Sequence, residues 1–189
     1  MQGKSIINSN RMSMKKLFFL FAFLIGLGIS SSVYAQLVKE VTLTSANTLA
    51  SKLGADVGKV TTLRVSGSLG TEDFKTMKEQ MNMLQVLDMS GVTELPKAGG
   101  AWADLRYIPA NSFQNKLTLQ KVVFPGVLQM IEREAFSGCN NLTEADFSKV
   151  SQLRSLEYRA FYECSGLRDL DLSACTSLVG IGSNAFYRC

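Results

Sequence analysis

No histidine occurs anywhere in the 189 residues. Without an imidazole, the Ser-His-Asp and Cys-His nucleophile systems, helical zinc-ligating histidine pairs and the histidine general base are all excluded. Net charge is scarce as well. The formal +4 rests on Lys4, Arg11, Lys15 and Lys16, which lie in a first stretch of 35 residues that holds no acid; beyond it the 16 acidic side chains are matched by as many basic ones. A neutral remainder gives no electrostatic basis for binding nucleic acid or anionic lipid. There is no phosphate-cradling loop, since Gly70-Thr71-Glu72-Asp73 reads as a helix start, and no Cys-x2-Cys pair for zinc. Long hydrophobic runs are missing too. The longest, Leu17 to Ile29, has thirteen uncharged and mostly apolar residues, short of the ~18 to 20 that cross a bilayer.

What that run does fit is a secretory leader. Lys15-Lys16 precede it, Ser30-Ser31-Ser32-Val33-Tyr34-Ala35 follow, and Val33 and Ala35 stand at the −3 and −1 positions of a cleavage site between Ala35 and Gln36. Residues 1–35 therefore read as an export signal, with Met14 as an alternative start.

The rest is organised by repetition. Phe113, Phe136, Phe161 and Phe186 are separated by 23, 25 and 25 residues. Five positions before each stand Ile108, Ile131, Leu156 and Ile181; eight before stand Leu105, Leu128, Leu153 and Leu178. Three after come Lys116, Cys139, Cys164 and Cys189. Apolar triplets follow at Leu119/Val122/Phe124, Leu142/Ala145/Phe147 and Leu167/Leu170/Leu172, and the same spacing recurs upstream at Leu84/Leu87/Met89 and Val60/Leu63/Val65. This predicts five strand-bearing coils, stacked so that each buries its neighbour's leucines, with parallel strands on one wall. The Ala-Phe turns, as short helices or 3₁₀ turns, form the other wall, and the phenylalanines form a spine. Between the second and third coils an insertion near residues 91–104, with Pro96, Gly99, Gly100 and Trp102, reads as a surface loop.

Residues 36–83 read as an α/β cap and first coil. Val41-Thr42-Leu43-Thr44 alternates like a half-buried strand, Ser45 fits an N-cap, Leu49, Ala50 and Leu53 share a helical face, and Gly54 fits the stop. A second helix is signalled by Thr71 as N-cap and by Phe74, Met77, Met81 and Leu84 on one face. Residues 84–189 hold the repeats. The last begins at Phe186 without reaching its strand, so the chain is expected to be truncated there and to self-associate through an uncapped end.

The pattern Leu-x2-Ile-x3-Ala-Phe-x2-Cys-x2-Leu-x2-Leu-x-Leu, best kept in Leu128 to Phe147 and Leu153 to Leu172, resembles the BspA-like leucine-rich repeats of bacterial surface proteins. Leu105 to Phe124 departs from it with Lys116 in the cysteine position. The resemblance implies an α/β solenoid, exported to the outside or cell surface of a bacterium, that acts as a non-enzymatic binding module. Adhesion to host matrix or cell-surface proteins is the implied activity, without a cofactor; the alternative is a spacer in a larger surface array.

Candidate sites follow from strand alternation. The residues between core positions form two rows on the concave face: Thr62, Val86, Lys121, Glu144, Asp169, and Arg64, Asp88, Val123, Asp146, Asp171. The expected binding patch is Asp88, Lys121, Glu144, Asp146, Asp169 and Asp171. Its last four acids read as a solvated face, as a contact for a basic protein partner, or as a weak calcium site. Phe113, Phe136, Phe161, Phe186, Cys139, Cys164 and Cys189 are assigned to the repeat core, and Cys175 to another core slot, all four thiols being free.

Overall fold

The computed structural model describes residues 36–100 and 104–189; the leader, its cleavage site and Trp102 lie outside them. In chain order the elements are β1 (Val38–Leu43), α1 (Leu49–Leu53), a 3₁₀ helix (Gly54–Lys59), β2 (Thr62–Ser68), α2 (Thr71–Glu79), β3 (Val86–Glu94), β4 (Tyr107–Ile108), β5 (Lys121–Val123), β6 (Met130–Ile131), β7 (Glu144–Asp146), β8 (Ser155–Leu156) and β9 (Gly180–Ile181). Two parallel sheets result. One runs β1-β2-β3-β5-β7 and the other β4-β6-β8-β9. The coils of Phe113 and Phe136 each contribute one strand to each wall of a solenoid, β4 with β5 and β6 with β7.

The first sheet has five strands, but not the five expected. β1 supplies the outer strand, pairing Val38–Leu43 with Thr62–Gly67, while Leu167 to Ser173 forms none. Pairing that segment onto β7 would set Asp169 opposite Glu144 and Asp171 opposite Asp146, like charges about 5 Å apart. Leu167 is buried, and Leu170 and Leu172 still pack on the core. The described part of the insertion carries strand structure that a surface loop would lack. Its first residues extend β3, with Gly91 and Val92 opposite Ser66 and Gly67, and Lys97 bridges Arg106 antiparallel.

The Ala-Phe segments are chained turns with no helix. Residues two before and two after each phenylalanine have positive φ: Asn111, Glu134, Arg159 and Asn184 (54° to 58°), then Asn115, Gly138, Glu163 and Arg188 (57° to 72°). A left-handed residue at each end stops helix propagation. It also aims amides at the next coil. Asn111, Phe113 and Asn115 donate to the carbonyls of Arg133, Ala135 and Ser137, and the next two coils repeat the pattern through Phe136 to Ala160 and Phe161 to Ala185. At Gly138 a Cβ would lie 2.2 Å from Asn115 Oδ1, so a larger residue there would have to displace that side chain.

Between the walls runs the spine. Phe113, Phe136 and Phe161 are fully buried and stack with centroids 5.0 and 5.1 Å apart. Phe124 and Phe147 form a second column, 4.3 Å apart. Phe74 of α2 meets Phe113 edge-on at 6.1 Å, closing the spine at that end.

The helix starts differ from expectation. Thr48, not Ser45, precedes α1 and makes no side-chain cap, and Gly70, not Thr71, precedes α2. One buried carboxylate serves both ends: Asp73 accepts the amides of Asn47 (2.6 Å), Leu49 (2.8 Å) and Gly70 (2.8 Å).

Candidate interaction surface

Alternation along the first sheet leaves two rows of side chains on its exposed face: Val38, Thr62, Val86, Lys121, Glu144, and Glu40, Arg64, Asp88, Val123, Asp146. Thr62 is buried and Val86 and Val123 are half-buried. Charges on either side of the valines are paired across strands. Arg64 Nη1 lies 2.7 Å from Glu40 Oε1, and Lys121 pairs with Glu144. Glu40 was not anticipated, because β1 carries no leucine triplet to mark it as a rung; the alternation of residues 41–44 was its only signal.

The acids expected to act as one patch are used separately. Asp88, Asp146 and Asp171 each accept the amide of the serine two residues on, Ser90, Ser148 and Ser173, at 2.8 to 2.9 Å. An Asp-x-Ser turn thus ends the segment in three coils. Of the other two coils, that of β2 has Arg64 before Ser66, and in that of β5 Val123 precedes Pro125, which has no amide to satisfy. Glu144 is bound to Lys121, and Asp169 is exposed outside any strand. The rows Glu144/Asp169 and Asp146/Asp171 therefore do not exist as cross-strand pairs. Among the described residues no group of three or more cysteine or carboxylate side chains is placed to hold a metal ion.

These turns leave a pH signature. Bonds from the Ser148 hydroxyl and amide, aided by Lys121 and Lys149, hold Asp146 below the ordinary aspartate range; Ser173 does the same for Asp171. A carboxylate whose folded pKa is depressed stabilises the fold above its unfolded pKa. That contribution is lost as pH falls through the folded value. Stability should therefore decline below roughly pH 4, and Asp146→Asn should flatten the decline while lowering stability at pH 7. Urea titrations at pH 3 and pH 7 check this; parallel pH profiles for the two proteins would refute the role of the turn.

The repeats now have a strand, an inter-coil amide ladder, a stacked phenylalanine and a cysteine slot in fixed order. A family model described as the BspA type leucine rich repeat region matches residues 105–189, in six copies. Residues 105–189 are BspA-type leucine-rich repeats. Among solved structures, the chain is similar to a leucine-rich repeat protein of T. pallidum, at 23% identity and a TM-score of 0.39, over 66% of this chain and 60% of that one. It is also similar to a leucine-rich repeat protein from Bacteroides ovatus, at 17% identity and a TM-score of 0.29, over 70% and 47%. The chain thus matches less than two thirds of the length of either. Comparison with curated proteins gives no match. A repeat region of this type is a protein-binding module, typical of bacterial surface or secreted proteins. Among the described residues no helix is long and apolar enough to cross a membrane.

In the BspA-type repeats the cysteine has a hydrogen-bonding duty that its spacing does not disclose. Cys139, Cys164 and Cys189 donate their thiols to the carbonyls of Phe113, Phe136 and Phe161, the phenylalanines of the preceding coils, at 3.0 to 3.1 Å. Lys116 occupies this slot where the preceding neighbour is α2. Its Nζ lies 3.3 Å from the Lys78 carbonyl, a cation at the electron-rich C-terminal end of a helix. Cys139, Cys164 and Cys175 are free and buried, whereas Cys189, expected in the core, is free and exposed. Burial pushes the Cys139 thiol up to about 12, and raises Cys164 as well.

Unreactive buried thiols are the consequence. At pH 8 a thiol reagent should label Cys189 first and reach Cys139 and Cys164 only on unfolding. Cys164→Ser should destabilise by about 1 kcal/mol, since the hydroxyl can still donate to Phe136, while Cys164→Ala leaves that carbonyl with the Cys139 amide alone and opens a small cavity, and should cost about 1 to 3 kcal/mol. Rapid labelling of all the thiols in the native protein would contradict this assignment.

Proposed function

We propose that the chain is an exported, non-enzymatic bacterial adhesin that takes a host matrix or cell-surface protein on the exposed face of the five-stranded sheet. The supporting observation is the composition of that face. Val86 and Val123 lie on adjacent strands at its centre, half-buried and diagonal to each other, with Lys121 opposite Val86 and Asp88 opposite Val123, and the ion pairs Arg64/Glu40 and Lys121/Glu144 lie around them. Apolar side chains set among compensated charges suit a protein-binding surface. In this reading residues 1–35 direct export, β1, α1 and α2 cap the solenoid, and residues 84–189 carry the repeats. The acids act mainly within their own turns.

The test is a pull-down with immobilised matrix proteins. Val86→Asp with Val123→Asp should abolish capture, whereas Asn or Gln at Glu144, Asp146, Asp169 and Asp171 should weaken it only modestly. Capture that depends on the four acids and ignores the valines would defeat this reading in favour of a basic partner.

A further inference from the structure

The second sheet carries a depression of about 490 Å³ lined by Ala110, Met130, Glu132, Arg133, Glu157 and Tyr158. It lies apart from the valine-centred face, and its chemistry differs. Glu132 and Glu157 directly follow β6 and β8. Their amides are fixed to the carbonyls of Ile108 and Ile131 at 3.1 and 2.9 Å, so the two glutamates occupy the same place on successive coils, their backbones about 4.8 Å apart.

On the other face Arg64 and Lys121 are paired with Glu40 and Glu144; here the arrangement differs. Among the described residues Arg133, Glu132 and Glu157 take part in no ion pair. The only side-chain bond is from the Ala110 amide to Glu132 Oε2, 2.8 Å. Tyr158 is 41% exposed, unusual for an aromatic ring. It is nevertheless held: the Arg159 guanidinium sits 4.9 Å from its centroid and 4.6 Å from that of Tyr162, and Tyr162 stacks on Tyr187 at 5.4 Å. A fixed ring loses little entropy on binding.

We propose that this depression binds a neutral saccharide. The argument is one of charge and shape. A cationic ligand would meet Arg133, and an anionic one would meet two carboxylates. A neutral polyhydroxyl ligand suits both signs at once, because carboxylate oxygens accept from adjacent hydroxyls while the guanidinium donates to them. The Tyr158 ring and the Met130 side chain supply an apolar floor for the C–H face of a sugar ring. A volume of this size accommodates a short oligosaccharide in the range of small-ligand sites. The site neither uses nor requires the protein-binding face, so either assignment can fail alone.

The experiment is a glycan microarray probed with the labelled full chain, displaying neutral, sialylated and sulfated oligosaccharides. Binding to neutral glycans is expected. It should fall roughly tenfold in Tyr158→Ala and in Glu157→Gln, and be unchanged in Val86→Asp. Glu157 makes no side-chain bond in the described protein, so Glu157→Gln remains informative where Tyr158→Ala fails to fold. Three outcomes overturn the proposal: no glycan above background, binding confined to anionic glycans, or a signal that Val86→Asp removes and Glu157→Gln leaves intact.

Discussion

Asp73→Ala should destabilise the protein by about 3 to 5 kcal/mol, the largest loss expected from a single polar group. Asp73 is 1% exposed, and its two oxygens satisfy three backbone amides from two places in the chain, the turn before α1 and the residue before α2. Truncation removes these charge-assisted bonds together and leaves donors without water or acceptor. Loss of a buried partner costs more than the bond itself was worth, because each stranded amide keeps its full desolvation penalty. Asp73→Asn keeps the shape and one carbonyl acceptor, but aims an N–H pair at another donor, so it should recover about half of the loss at most. Urea unfolding at pH 7 measures both. A change below ~0.5 kcal/mol in Asp73→Ala, the size of an ordinary surface substitution, would show that these amides find other acceptors.

Phe136→Ala should cost about 3 to 5 kcal/mol by a different mechanism, cavity formation. The ring is fully buried, is stacked between Phe113 and Phe161, and meets Phe124 edge-on at 5.6 Å. No single neighbour can collapse into the space, since each is itself fixed by the coil beyond it. Phe136→Leu retains most of the apolar volume and should cost about 1 to 2 kcal/mol. The two losses should also spread differently. In a stack where each coil touches only its neighbours, a central cavity uncouples the halves. Hydrogen exchange should therefore quicken at Phe161 and Glu163, whose coil has lost its support, before it quickens at Leu63 or Leu87. Uniform acceleration across the chain would instead mark the solenoid as one cooperative unit and contradict the local account.

Substitution at a coil turn should follow the backbone rather than the side chain. Glu134 has φ 55° and Glu163 φ 57°, a conformation that disfavours residues with a Cβ but tolerates asparagine. Asn111 and Asn115 hold the equivalent places in the first of these coils. Glu134→Asn gives up the bond from Gln114 Nε2 to Glu134 Oε2, so its net gain should be small, on the order of 0.5 kcal/mol. A thermal melt reads it, and a clear loss of stability would place the side-chain bond above the backbone strain.

The sequence by itself determined the solenoid. Recurrence of Phe113, Phe136, Phe161 and Phe186 with leucines in register leaves few ways to bury them other than stacking coils, and burial is the dominant favourable term. It also placed the alternation that exposes Val86, Lys121 and Val123, because side-chain direction in a strand has a period of two. Only the tertiary structure decided which coils pair. β1 gained a place beside β2 without a leucine triplet, and Leu167 to Ser173 remained outside the ladder, since pairing depends on the neighbour's charges as well as on the segment's own pattern. The fate of the acids was likewise hidden. Asp146 and Asp171 read as a surface patch until the amides of Ser148 and Ser173 were seen to turn back on them, a contact set by local backbone direction. Lys116 appeared as a lapse in a cysteine column, and its reason is the C-terminal end of a helix 38 residues earlier. Asp73 holds apart-lying amides, and the depression at Glu132, Glu157 and Tyr158 exists only where adjacent coils meet. Periodicity reports what each coil buries, but a hydrogen bond or a pocket between coils depends on distances that no single repeat contains.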